Sequence, residues 1–321
     1  MHRLTLFFLA LLAPCAASAH TGAGAHDPVE HGFLVFLVAS LLAGGFFYAS
    51  GVRALWSKAG VGRGVTRGEA VAFALGWAAL AASLLGPIDG WSERSFAVHM
   101  TQHELLMVVA APLIVLGRPL EAWTWAASSP VQRLFATTMK TSALRALARL
   151  STFSLGAWLV HALALWLWHL PALFRAALSI PLVHILQHAC FFGSALAYWW
   201  TVFDGRRRHP KGSSIASLFT TMLHTSALGA LLTFAPSPWY AADGPRAFGL
   251  SPLEDQQLGG LIMWIPGGLA YMIVGLVIVI RWLSPRPRAR PAPSVPEAFD
   301  GASLAPRSGA LSPAIRRATT P

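Results

Sequence analysis

Seven stretches of this chain, near residues 33–52, 70–86, 98–117, 152–170, 181–203, 215–235 and 258–283, stay apolar for about the 20 residues a helix needs to cross a bilayer core. Lipid offers no partner to a free backbone N–H or C=O, so segments of this length and character fold as helices. The composition agrees: 55% of the 321 residues are hydrophobic and only 12% charged, with 13 Trp and 18 Phe, far from the balance of a soluble domain. These features predict an all-α, polytopic membrane protein with seven transmembrane helices after an N-terminal signal segment.

The start, "MHRLTLFFLALLAPCAASAH", has a short basic region, an apolar stretch from Leu4 to Leu12, and Ala17-Ser18-Ala19 as a small-residue cleavage signal. Residues 1–19 therefore read as a signal peptide and 20–32 as an exposed, histidine-containing segment; an uncleaved anchor is the alternative. Pro14 before Cys15 argues against a lipoprotein site. Basic residues then fix orientation, because Lys and Arg in short loops stay in the cytoplasm. With a secreted N-terminus, 20 of them fall inside and only Arg94, Arg175 and Arg246 fall outside, with Arg3 in the signal segment. The chain is expected in a bacterial inner membrane, N-terminus periplasmic and C-terminus cytoplasmic. Its net charge of +11 is thus explained by topology and surrounding lipid, with no nucleic-acid partner. The 118–151 loop has a composition suited to lying along the inner membrane surface. Residues 284–321, rich in Pro, Ala, Ser and Arg, read as a disordered cytoplasmic tail. Two cysteines, Cys15 and Cys190, offer no disulfide framework and no CxxCH haem attachment, and Cys190 reads as packing.

In this topology the intramembrane histidines gather in the outer half or near the midplane. His99 and His103 lie at the outer end of the third span, His184 and His188 at that of the fifth, His169 at the outer end of the fourth with His161 two turns deeper, and His224 near the middle of the sixth. Residues four apart share a helix face, so "HMTQH" and "HILQH" can each aim two imidazoles at one centre. Imidazole suits copper and zinc, and thioethers such as those of Met100, Met107, Met222 and Met263 favour Cu(I). Polar side chains at this depth are costly and mark function or interhelical contacts. A lone histidine such as His161 or His224 is as readily a hydrogen bond between helices as a ligand. Met107 and Met272 read as lipid-facing or packing residues, whereas Met222 and Met263 adjoin polar features. Glu104 and Asp255 are candidates to orient a ligand imidazole from behind. The exposed "HTGAGAHDPVEH" adds His20, His26 and His31; a free α-amine on His20 could chelate copper together with its ring.

Five ordered motifs, "HMTQHELLMVVAAPLIVLGRPL", "LWHLPALF", "HILQHACFFGSALAYWW", "MLHTSALGALLTFAPSPWY" and "DQQLGGLIMWIPGG", resemble the CtaG-type cytochrome c oxidase assembly factors associated with caa-type oxidases. The likeness covers roughly residues 30–283. It implies a role in assembling haem-copper oxidase by supplying copper to the catalytic subunit. The motif positions it carries over are His99, His103, His169, His184, His188, His224 and Met263, with Asp255 beside them. The signal segment, the histidines before residue 31 and the tail lie outside it.

Together these observations predict a non-enzymatic assembly factor. It would take copper, as Cu(I), from the periplasmic side, where a copper chaperone could donate it, and pass it to the oxidase catalytic subunit. A haem-binding or haem-processing protein is the first competitor, since helix histidines also ligate haem iron. A copper permease is the second, and would need polar residues continuing through the inner half.

Overall fold

The computed structural model describes residues 28–127, 154–203, 211–240 and 247–284, and all regular structure among them is helical. In chain order α1 spans Pro28–Ala59, α2 Arg67–Leu84, α3 Pro87–Ser92 and α4 Phe96–Glu104. A π-helical turn, Leu105–Ala110, joins α4 to α5 (Ala111–Leu116), followed by α6 (Pro119–Ala126). Next come α7 (Ser154–Trp168), α8 (Pro171–Ser179), α9 (Pro181–Phe203) and α10 (Lys211–Thr233). A 3-10 turn at Ala247–Gly249 precedes α11 (Pro252–Ile262), a second π-helical turn (Met263–Gly267) and α12 (Gly268–Leu283).

Local sequence explains these boundaries. Thr66 and Glu69 form a capping box at the start of α2, and Ser251 and Glu254 form another at α11. Proline begins α3, α6, α8 and α11, where its missing N–H costs nothing. Between α7 and α8, the Leu170-Pro171 step produces a 75° bend.

Four stretches are long and apolar enough to cross a membrane: Gly32–Ala59, Phe96–Leu116, Lys211–Thr233 and Pro252–Leu283; α7 with its bent neighbour α8 could make a fifth. The other two expected spans exist as helices, α2 and α9. The first turn of α2 carries Arg67 and Glu69, and α9 carries His184, Gln187 and His188, so both are less apolar than the rest. The expected signal segment, His20, His26, residues 128–153 and the tail beyond 284 lie outside the described residues. His31 falls in α1, its side chain outside the description.

Phe96–Leu116 is the buried centre of the bundle, with 61% of its apolar stretch covered against 22–39% in the other three candidates. Around it Leu106, Met107, Ile114, Phe191, Tyr198, Trp199 and Tyr271 form the main core. Membrane helices cannot draw on a hydrophobic effect between themselves, so close backbone approach matters more. A Cβ on Gly229 would stand 2.7 Å from the Gly260 carbonyl oxygen, and one on Gly260 would stand 2.7 Å from that of Gly229. α10 and α11 are thereby brought into backbone contact, which presses α11 against α4. At the far end of the central span, Arg118 takes a left-handed conformation (φ 53°). Its guanidinium holds Glu121 at 2.8 Å and the Gly64 carbonyl at 2.8 Å, while Tyr48 donates to the Gly117 carbonyl.

Candidate metal centre

α4 carries the first histidine pair, and its position is set from outside the helix. Ser95 is the N-cap, accepting from the Val98 N–H. Asp255, on α11, accepts from Ser95 Oγ at 2.7 Å, from Phe96 N at 2.7 Å and from Ala97 N at 3.1 Å. A buried carboxylate thus satisfies N–H groups that a helix start leaves unpaired, and its charge complements the helix dipole. Asp255 was expected to orient a ligand imidazole; its hydrogen bonds instead hold the start of the helix on which two imidazoles ride.

His99 and His103 follow within two turns, both buried, with ring centroids 4.3 Å apart. His188 comes in from α9, 5.3 Å from His103 and 6.1 Å from His99 between ring centroids. One ligand nitrogen from each of His99, His103 and His188 lies within 4.8 Å of the other two. Three ligands at metal–nitrogen bonds of about 2.0 Å stand about 3.5 Å apart in a trigonal set. A shift of about 1 Å in the rings would therefore close the group around one ion. Both nitrogens of His99, both of His103 and Nε2 of His188 are buried without a hydrogen-bond partner. An unmet buried polar group costs about 1–3 kcal/mol, so five such atoms at one place fit a site built for a ligand.

The other expected residues divide. His184 sits beside the triad, 4.3 Å from His188 and 5.3 Å from His99 between centroids, and is partly exposed. His169 is buried, and its Nδ1 donates to the Leu165 carbonyl at 2.6 Å, which leaves Nε2 as a bare acceptor. The Phe191 ring neighbours both His169 (5.9 Å) and His103 (4.6 Å). Tyr240 secures His169 by donating to its carbonyl, and burial pushes the Tyr240 phenol well up, which keeps it a donor. Met263 packs with Phe96, Met100, Phe174, Leu228 and Leu232 in a separate apolar cluster. His224 stands against Trp158, and its electrostatic neighbour is His161, away from the triad. His161 itself bridges helices: Ser194 donates to the Phe191 carbonyl, so its Oγ accepts from His161 Nδ1 at 3.0 Å, with Tyr271 OH near Nε2 at 3.4 Å. Glu104 points at the second π-helical turn, where a Cβ on Gly267 would meet its Oε2 at 2.7 Å.

Three residues at the site escaped the sequence reading. Gln102 and Gln187 occupy the same place in "HMTQH" and "HILQH", and both are wholly buried. Gln102 Nε2 donates to the Ser83 carbonyl at 2.7 Å and to Asp89 Oδ1 at 2.8 Å, while Gln187 lies against His99. The shared glutamine was visible in the two motifs. Asp89, on the short α3, carried no such signal.

The profile of the cytochrome c oxidase caa3 assembly factors matches residues 46–284, a range that includes every imidazole of the centre. No curated protein and no solved structure matches the chain significantly. The resemblance carried by the five motifs is therefore borne out over most of the sequence, and the chain belongs to the cytochrome c oxidase caa3 assembly factor family.

Proposed function

We propose that this protein binds Cu(I) through His99, His103 and His188 and passes it to the catalytic subunit of a haem-copper oxidase during assembly. The observation that carries this reading is the convergence of three buried imidazoles whose ligand nitrogens have no other partner. The charge state follows from the cost of burying an ion, which rises steeply with charge. Three neutral imidazoles leave a monovalent ion with a net charge of one, whereas a divalent ion would keep two. Soft Cu(I) also accepts low coordination by nitrogen and thioether ligands. His184 and His169, each with an unpartnered buried Nε2, stand as exchange partners that take the ion over one bond at a time. No nucleophile, acid or base is needed, so the role is that of a chaperone and not of a catalyst.

In this reading seven helices cross the inner membrane with the imidazoles in the periplasmic half, as the distribution of basic residues favours. A periplasmic chaperone donates the ion, and the oxidase catalytic subunit receives it.

The test is metal analysis of purified protein and of the oxidase made in the same cells. His99→Ala with His103→Ala should abolish stoichiometric copper and lower oxidase activity while protein level stays near wild type. Normal copper per molecule with reduced abundance would make the pair purely structural. A haem absorption spectrum in the wild-type protein would turn the assignment to haem handling.

A further inference from the structure

His99 and His103 are sealed from solvent, so an ion needs a way in to them. α3 lies in the chain between α2 and α4 and brings Asp89 within hydrogen-bond reach of Gln102 on α4. Asp89 is only partly buried. Its Oδ1 is held at 2.8 Å by Gln102 Nε2, and Gln102 is fixed in turn by the Ser83 carbonyl. Gln102 precedes His103 in the chain, so the carboxylate is tied to the helix that carries two of the three triad ligands. The carboxylate also acts electrostatically on His184, which like His188 is partly exposed. From His184 the rings step inward, 4.3 Å to His188 and 5.3 Å to His99 between centroids. Exposure falls along the same series, from Asp89 and His184 to the fully buried His99 and His103.

We propose that Asp89 and His184 form the entry station of the metal path, where the carboxylate draws in a monovalent soft cation and His184 hands it to His188 and His99. The proposal rests on the triad being a copper site, and adds to it a route and a residue that attracts the ion. A carboxylate suits entry better than residence. It raises the local concentration of a cation and speeds encounter, yet as a hard oxygen donor it holds Cu(I) less firmly than imidazole, so the ion moves on. Each step exchanges one donor for the next with no change in oxidation state.

Purified full-length protein in detergent is mixed rapidly with Cu(I) held by a coloured chelator, and loss of chelator absorbance is followed. Asp89→Asn keeps Oδ1 as acceptor for Gln102 and removes only the charge. It should slow capture about three- to tenfold and flatten its dependence on salt, since the attraction that salt screens is gone. Asp89→Glu, which restores the charge, should recover most of the rate, and His184→Gln should slow capture without salt flattening. Wild-type kinetics in Asp89→Asn at low salt would overturn the entry role and leave the triad standing. Copper lost at equilibrium from Asp89→Asn, with the fold retained, would also overturn it by making Asp89 a resident ligand. Failure of the wild-type protein to take Cu(I) from the chelator would reject the triad as well, so the two ideas fail in different experiments.

Discussion

Asp255 and His103 are both buried polar side chains, yet one accepts three hydrogen bonds and the other has none. The difference separates holding from binding. Hydrogen bonds to a charged group are worth about 1.5–3 kcal/mol each, and Asn in place of Asp255 would turn one acceptor into a donor facing the N–H groups of α4. Asp255→Asn is therefore expected to lower the unfolding midpoint of the detergent-solubilised protein and its copper retention together. An unchanged midpoint with full copper would show that α4 does not depend on this carboxylate. At this scale the sequence disclosed the two histidine pairs, because a spacing of four fixes a shared helix face wherever the helix goes. It set His188, in a pair, apart from the lone His224, but it could not tell that His188 and not His184 completes the closest group with His99 and His103, because that depends on the rotation of α9 in the bundle. The meeting of Asp89 with Gln102 was illegible too, because it depends on how α3 is placed against α4.

Glycine sets how near the elements approach. A Cβ on Gly51 would lie 1.8 Å from the Ala122 carbonyl oxygen, so α1 and α6 touch backbone to backbone there. Trp123 Nε1 adds a bond at 3.0 Å to the Gly44 carbonyl. Gly51→Ala should force the two helices apart and cost about 1–3 kcal/mol, as overpacking does elsewhere. Thermal unfolding in detergent would measure it, and a midpoint equal to wild type would mean that α6 yields freely. Helix positions followed the apolar runs closely, from α1 to α12. What the runs could not show is that the third and seventh are interrupted by π-helical turns, or that the fourth continues through a 75° bend into α8. Such breaks depend on side chains from neighbouring helices as much as on local composition.

For the molecule as a whole, the asymmetry of charge makes the strongest statement. With 20 basic residues on one side of the proposed topology and three on the other, a reporter fused after Arg207 should behave as cytoplasmic and one near Asp243 as periplasmic. Reversal at both sites would put the imidazoles in the cytoplasmic half and remove the periplasmic supply route. The all-helical architecture and the family were readable from hydropathy and motifs, which are properties of long stretches. The number of membrane crossings was harder to read, because α2 and α9 give up apolar character to the polar groups they carry.

The π-helical turn that begins one residue after Glu104 has a rotational meaning. A regular helix advances about 100° per residue, and a π turn fits one additional residue into the same rise. Everything beyond Ala110 is therefore out of step, by about that angle, with the face that presents His99 and His103. The central span behaves as two half-helices on one axis, each with its own azimuth. The upper half can aim imidazoles at α9, while the lower half turns Ile114 and Val115 into the core under no obligation to the same face. Shortening the turn by one residue would bring the halves back into step, and only one of them could then keep its present neighbours.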